Sequence, residues 1–311
     1  MRFIHIGIHK TGSTYLQRGL FDRCDLAVIG TPSVSQRMHD ATRLLWSRDH
    51  GHLNLGAWRQ HFDEIVEEVG ADPARLGLSD ENLSGHMWTG IGTVTVADRL
   101  ATLWPEARIL IVLRDPVDYV MSAYDEWCRL GGSAAFRRLL EDRCTPGSAV
   151  LRRVDYGALV QTYVDRFGGD RVLAVPYELL VDDPCGFVDR IVDHCGLDPA
   201  AASLANVRWN PRAPGWVRTV TRFEHFTGWP MSIEWDRSRR RRPWWGPIDD
   251  RLQRSARRRV ERSLAALDAV DDLLPPATGQ RRGYEWPGDL ARFQGGYGWT
   301  TKRDEGAASI P

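Results

Sequence analysis

The stretch RFIHIGIHKTGSTYLQRGLF, residues 2–21, admits few folds. Arg2 to Ile8 read as a buried strand, His9 to Gly12 turn the chain, and Ser13 or Thr14 is placed to cap a helix over 13–22. Backbone N–H groups at such a helix start have no partner within the helix, so they form an anion site. A lysine sits in the same loop. Lysine occurs at positions 10 and 302 alone, and every other Lys/Arg position is arginine. A guanidinium fork is too wide for a narrow phosphate cradle, whereas an ammonium is a compact point charge.

A second strand–loop–helix unit follows in ARILIVLRDPVDYVMSAYDEW, residues 107–127. Ile109 to Leu113 are continuously apolar, as in a strand covered on both faces. Arg114 ends that strand, Asp115-Pro116 break it, and the chain is helical from Val117. Ser122 stands eight residues after Arg114, on the first turns of the helix. Arg114 and Ser122 offer a fork and a hydroxyl to a phosphate; in the other reading Arg114 pairs with Asp115 or Asp118 and Ser122 faces solvent.

The same alternation recurs along the first two thirds of the chain. Strands are predicted at 2–8, 26–30, 75–79, 108–113 and 171–176, and helices near 13–22, 57–69, 95–103, 117–130, 150–167 and 184–195. Short loops and intervening helices make the strands parallel, with right-handed crossovers, and ligands bind beyond their carboxyl ends. The expected fold is α/β, a P-loop-type parallel sheet of about five strands flanked by helices, with an irregular Trp- and Arg-rich C-terminal region. One domain over 1–311 is expected, with an α/β core at 1–205, an insertion or lid at 206–247, and a helix followed by a further loop at 248–311. The lid carries six tryptophans from Trp209 to Trp245 and the run Arg239 to Arg242. The tryptophans serve as core or as stacking surfaces, and the arginines as a solvated loop or as a basic rim attracting anions.

Composition narrows the class. The chain has 41 basic and 41 acidic residues and is 42% apolar, which argues against a general nucleic-acid binder. No apolar run reaches membrane-spanning length, and the N-terminus reads as a strand rather than a signal peptide. The cysteines at 24, 128, 144, 185 and 195 are odd in number and lack C-x-x-C spacing, as expected of reduced thiols in a cytoplasmic protein. His50-Gly51-His52 hints at a metal, but no third ligand has suitable spacing, so no metal site is expected.

A nucleotide triphosphatase loop reads G-K-[ST], with lysine after the last glycine. Here lysine comes first, in Lys10-Thr11-Gly12-Ser13-Thr14. That order resembles the 5′-phosphosulfate loop of bacterial sulfotransferases that use 3′-phosphoadenosine 5′-phosphosulfate (PAPS). Arg114 and Ser122 match the Arg and Ser with which that family binds the 3′-phosphate of the cofactor. Tyr177-Glu178 resembles the family's Y-E dipeptide, whose tyrosine lies near the adenine and whose glutamate is structural. Arg281, Arg282 and Gly283 are similar to a late basic-Gly loop that closes over the 3′-phosphate, or they form a plain surface turn. Leu78-Ser79-Asp80-Glu81-Asn82-Leu83-Ser84 resembles the S-x-E-N-L segment of many members.

The resemblance implies sulfuryl transfer from PAPS to a hydroxyl of a carbohydrate, phenolic or secondary-metabolite acceptor, without a metal. Lys10 would offset charge on the bridging oxygen, and backbone N–H groups of Thr11 to Thr14, with the Ser13 and Thr14 hydroxyls, would hold the 5′-phosphate. Glu81 is the first choice for the base, with Asp80 as helix cap, or the two roles are reversed; His9 and His86 are the alternatives. A small-molecule P-loop kinase and a nucleotide-binding protein without catalysis are the rival readings.

Overall fold

The computed structural model describes residues 1–48, 52–129, 153–198 and 258. Five parallel strands form one sheet in the order β2-β3-β1-β4-β5. They are β1 (Phe3–His5), β2 (Ala27–Ile29), β3 (Leu76–Ser79), β4 (Arg108–Leu113) and β5 (Val172–Pro176). Each lies within its predicted stretch. β1 is central, with Ile4 registered against Leu78 on one side and Ile109 on the other.

The helices are α1 (Ser13–Tyr15), α2 (Gln36–Ser47), α3 (Leu55–Glu68), α4 (Thr93–Leu103), α5 (Pro116–Arg129), α6 (Tyr156–Phe167), α7 (Tyr177–Asp182) and α8 (Pro184–Cys195). The expected helix over 13–22 is not uniform: α1 runs into a π turn, Leu16–Leu20, and then a 3₁₀ turn, Phe21–Arg23. The sequence reading missed α2 and α7. Asn54, Asp155 and Asp183 cap α3, α6 and α8 by accepting from the backbone N–H three residues on, at 2.9–3.0 Å. No helix among the described residues is long and apolar enough to cross a membrane.

β4 shows why its apolar run has no polar break. Ile109, Ile111 and Leu113 enter the core formed with α2 to α6, while Leu110 and Val112 enter the one formed with α1 and α8. All five are fully buried, so neither face can carry a polar residue at low cost. Gly77 on β3 leaves room for the Phe3 ring opposite, since a Cβ there would stand 2.6 Å from it.

Two polar contacts fix the carboxyl edge of the sheet. His5 Nδ1 lies 2.8 Å from Ser79 Oγ across β1 and β3. Burial lowers the His5 pKa to about 3, so this pair is a neutral brace. Gln17 donates to the Ser79 carbonyl and hydroxyl, each at 3.2 Å, tying the π turn to the same edge. The loops leaving β3, β1, β4 and β5, four consecutive strands in the sheet, all open there.

Candidate active site

The loop after β1 is closed by its own side chain: Thr11 Oγ1 donates to the Ile8 carbonyl at 2.5 Å. Lys10 has φ 66°, the one positive φ outside glycine among the described residues. Gly12 follows at φ 87° and occupies the cap position expected of Ser13 or Thr14, without a side-chain cap bond. Its left-handed backbone turns the chain directly into the helix, so Ser13 is already helical. A Cβ on Gly12 would also come within 3.1 Å of the Tyr177 ring and 3.3 Å of Leu180. The helix's own bonds begin with the Tyr15 and Leu16 N–H groups, both to the Gly12 carbonyl, so earlier N–H groups are not used within it.

Ser13 Oγ is buried and makes no hydrogen bond of standard geometry. Its neighbours are Gly7, where a Cβ would stand 2.8 Å from it, and the Glu81 carboxyl, which feels it. Thr14 is half-buried at the mouth of the same turn.

The loop after β4 reaches across to the first. Arg114 donates to the Lys10 carbonyl at 2.7 Å, and its guanidinium lies 4.9 Å from the centre of the Tyr177 ring. Asp115 is taken up otherwise: its Oδ1 accepts from the Asp118 N–H at 3.0 Å, and its N–H donates to Glu178 Oε1 at 2.8 Å. Glu178 is thus a structural link between the loops after β4 and β5. Ser122 is buried on α5 rather than solvent-facing. One turn further, on the same face, Glu126 Oε2 stands 3.4 Å from Lys10 Nζ.

The loop after β3 settles the choice of cap. Asp80 accepts from the Asn82 N–H, Asn82 Nδ2 and Trp46 Nε1 at 2.8–2.9 Å, so its carboxylate is committed to structure. Glu81, next along, lies beside Gly7 and Ser13 of the first loop. Burial raises its pKa; Asp80 and Glu126 add to the rise, and Ser13 and Lys10 oppose it. Arg153, itself buried, holds this turn by donating to the Ser84 carbonyl at 2.6 Å and to Ser84 Oγ at 2.8 Å. Ser84 Oγ in turn lies 2.8 Å from the carbonyls of Gly7 and Glu81, which fastens the Glu81 turn to the first loop.

The two histidines differ from Glu81. Burial, with Arg153, His86 and Lys10 nearby, lowers the His9 pKa to about 4, against a raising effect of Glu126. His86 is exposed; its Nδ1 accepts from the Trp88 N–H at 3.3 Å and lies 3.1 Å from Thr89 Oγ1.

Lys10, Thr11, Gly12, Ser13, Thr14, Glu81, Arg114 and Tyr177 therefore gather at one edge of the sheet, with Ser122 on the adjoining helix. Arg281, Arg282, Gly283 and the 206–247 region lie outside the described residues, and so does His50. Among the described residues no three His, Cys, Asp or Glu side chains are grouped to hold a metal. Sequence reasoning missed Glu126 and Arg153. Glu126 had a legible signal, its i+4 spacing from Ser122; Arg153 had none, because its partner Ser84 is 69 residues away.

No curated protein matches the chain significantly. Among solved structures, it is similar to a sulfotransferase from Alicyclobacillus acidocaldarius, at 20% identity over 73% of this chain and 95% of that one, with a TM-score of 0.47. It is also similar to the sulfotransferase domain of the Synechococcus PCC 7002 olefin synthase, at 16% identity over 72% and 94% respectively, with a TM-score of 0.31. The pattern of the Sulfotransferase family matches residues 3–201, well over half the chain. With that match, the five-stranded parallel sheet and the crevice at its carboxyl edge belong to a member of the sulfotransferase family.

Proposed function

We propose that the protein moves a sulfuryl group from PAPS to a hydroxyl of a carbohydrate or small-molecule acceptor. The observation that carries this reading is the bond from Arg114 to the Lys10 carbonyl, which brings two loops 104 residues apart into one crevice. The residues fit an extended nucleotide with an anionic group at each end. Gly12 carries no Cβ to crowd the Tyr177 ring and Leu180 beside the loop, and the buried Ser13 hydroxyl lacks a standard hydrogen bond. Among the described residues Arg114 uses one of a guanidinium's five donors.

PAPS supplies the sulfuryl group, leaving adenosine 3′,5′-bisphosphate. The N–H groups opening α1 and the Ser13 and Thr14 hydroxyls would hold the 5′-phosphate, while the Thr11 hydroxyl keeps the loop closed through Ile8. The Lys10 ammonium would stabilise negative charge as it grows on the departing phosphate oxygen. Arg114 and Ser122 would hold the 3′-phosphate, and Tyr177 would border the adenine. Glu81 would take the acceptor's proton. Its raised pKa moves it toward the range where a general base works at neutral pH, whereas the lowered pKa of His9 moves that group away.

Donor selectivity tests the reading. Adenosine 3′,5′-bisphosphate should bind about tenfold to a hundredfold more tightly than AMP, the effect of a charge-assisted contact of roughly 1.5–3 kcal/mol. Equal affinities by calorimetry would remove the assignment of Arg114 and Ser122.

A further inference from the structure

Glu126 lies near the end of the second strand–loop–helix stretch and is not one of its phosphate-binding candidates, yet its carboxylate lies inside the site. It comes from α5, its side chain is 20% exposed, and its Oε2 stands 3.4 Å from Lys10 Nζ. Its charge also reaches Glu81 and His9, raising the pKa of each. The groups around the Lys10 ammonium are thus Glu126 from α5, Glu81 from the β3 loop and His9 from its own loop. The backbone at Lys10 is set by its left-handed φ and by Arg114, but neither fixes the flexible side chain. A partner for the ammonium does. At 3.4 Å the contact is longer than a strong charge-assisted hydrogen bond, about 2.7–2.9 Å, so it is readily exchanged.

Resting on the donor assignment above, we propose that Glu126 is a positioning residue: it holds the Lys10 ammonium at the crevice in the ligand-free protein and yields it to the 5′-phosphate of the nucleotide. Binding then includes breaking the Lys10–Glu126 pair. Releasing Lys10 in advance should tighten binding, and the gain should depend on Lys10 being present. A carboxylate that merely repels phosphate would give a gain that does not.

The test is calorimetry with adenosine 3′,5′-bisphosphate on the full chain, comparing wild type, Glu126→Gln, Lys10→Met and the double variant. Glu126→Gln should bind roughly twofold to fivefold more tightly than wild type, the range of a partly exposed ion pair. In the Lys10→Met background the same change should leave affinity unaltered. A second measurement needs no ligand. With lysines at 10 and 302 alone, a lysine-labelled sample gives two side-chain NMR signals, assigned with Lys302→Arg. Glu126→Gln should move the Lys10 signal and leave that of Lys302 in place. An unmoved Lys10 signal, or a gain in affinity that persists without Lys10, overturns the proposal. If the wild-type protein binds no adenosine 3′,5′-bisphosphate, the donor assignment fails instead, and the lysine spectrum alone decides whether Glu126 holds Lys10.

Discussion

Glu81→Gln should leave the fold and the affinity for adenosine 3′,5′-bisphosphate intact and lower turnover by about 10²–10⁴-fold, the usual contribution of a general base. Glutamine is nearly isosteric, so the contacts with Gly7 and Ser13 change little, but an amide cannot accept a proton at neutral pH. Wild-type turnover should fall on the acid side as Glu81 protonates. That limb should lie above the ordinary carboxylate range, because burial raises the group's pKa. Substituting His9 or His86 should cost less. Wild-type turnover in Glu81→Gln would place the base elsewhere, with His9 next in line. Loss of folding would make Glu81 a structural carboxylate, as Asp80 is.

Lys10→Ala should lower turnover by about 10²–10³-fold, the loss typical of removing one group that stabilises transition-state charge. Binding of adenosine 3′,5′-bisphosphate should weaken far less, about tenfold, because the ammonium matters most when the leaving oxygen becomes anionic. Lys10→Arg should not restore the rate. The loop is closed by Thr11 and Ile8, the Arg114 guanidinium already lies on the Lys10 carbonyl, and a planar fork does not place its charge where a compact ammonium does. Steady-state kinetics beside calorimetry separates the two effects. A fully active arginine variant would show that position 10 needs only positive charge.

The strands were legible because each is a short apolar run bounded by turn residues, and burial on both faces leaves no polar interruption to misread. α2 was not legible: its buried face is Met38, Ala41, Thr42 and Leu45, where the helical spacing is carried partly by a small residue and a hydroxyl amid polar neighbours. The cap at α1 was misplaced because Ser and Thr usually take that position, whereas a left-handed glycine turns the chain here. In the site, the motif loops were readable because local order carries their chemistry. The pairings between them were not. Asp80 and Glu81 are neighbours with the same functional group, and they part company because Trp46, 34 residues away, reaches Asp80. Glu126 meets Lys10 across 116 residues, and no local pattern specifies such a meeting.

The buried Glu81 carboxyl has a thermodynamic consequence of its own. Below its unfolded-state pKa the group is protonated in both folded and unfolded chains, and its burial is tolerated. As pH rises through the higher folded-state value, the folded chain must hold a charge that the unfolded chain leaves in water, and stability falls. At neutral pH the wild-type protein therefore melts at a lower temperature than it would with a neutral residue at position 81. Glu81→Gln should raise the melting temperature at pH 7, and the gain should vanish near pH 4. The residue with the largest expected share in turnover would then also be one that evolution for heat resistance alone would discard.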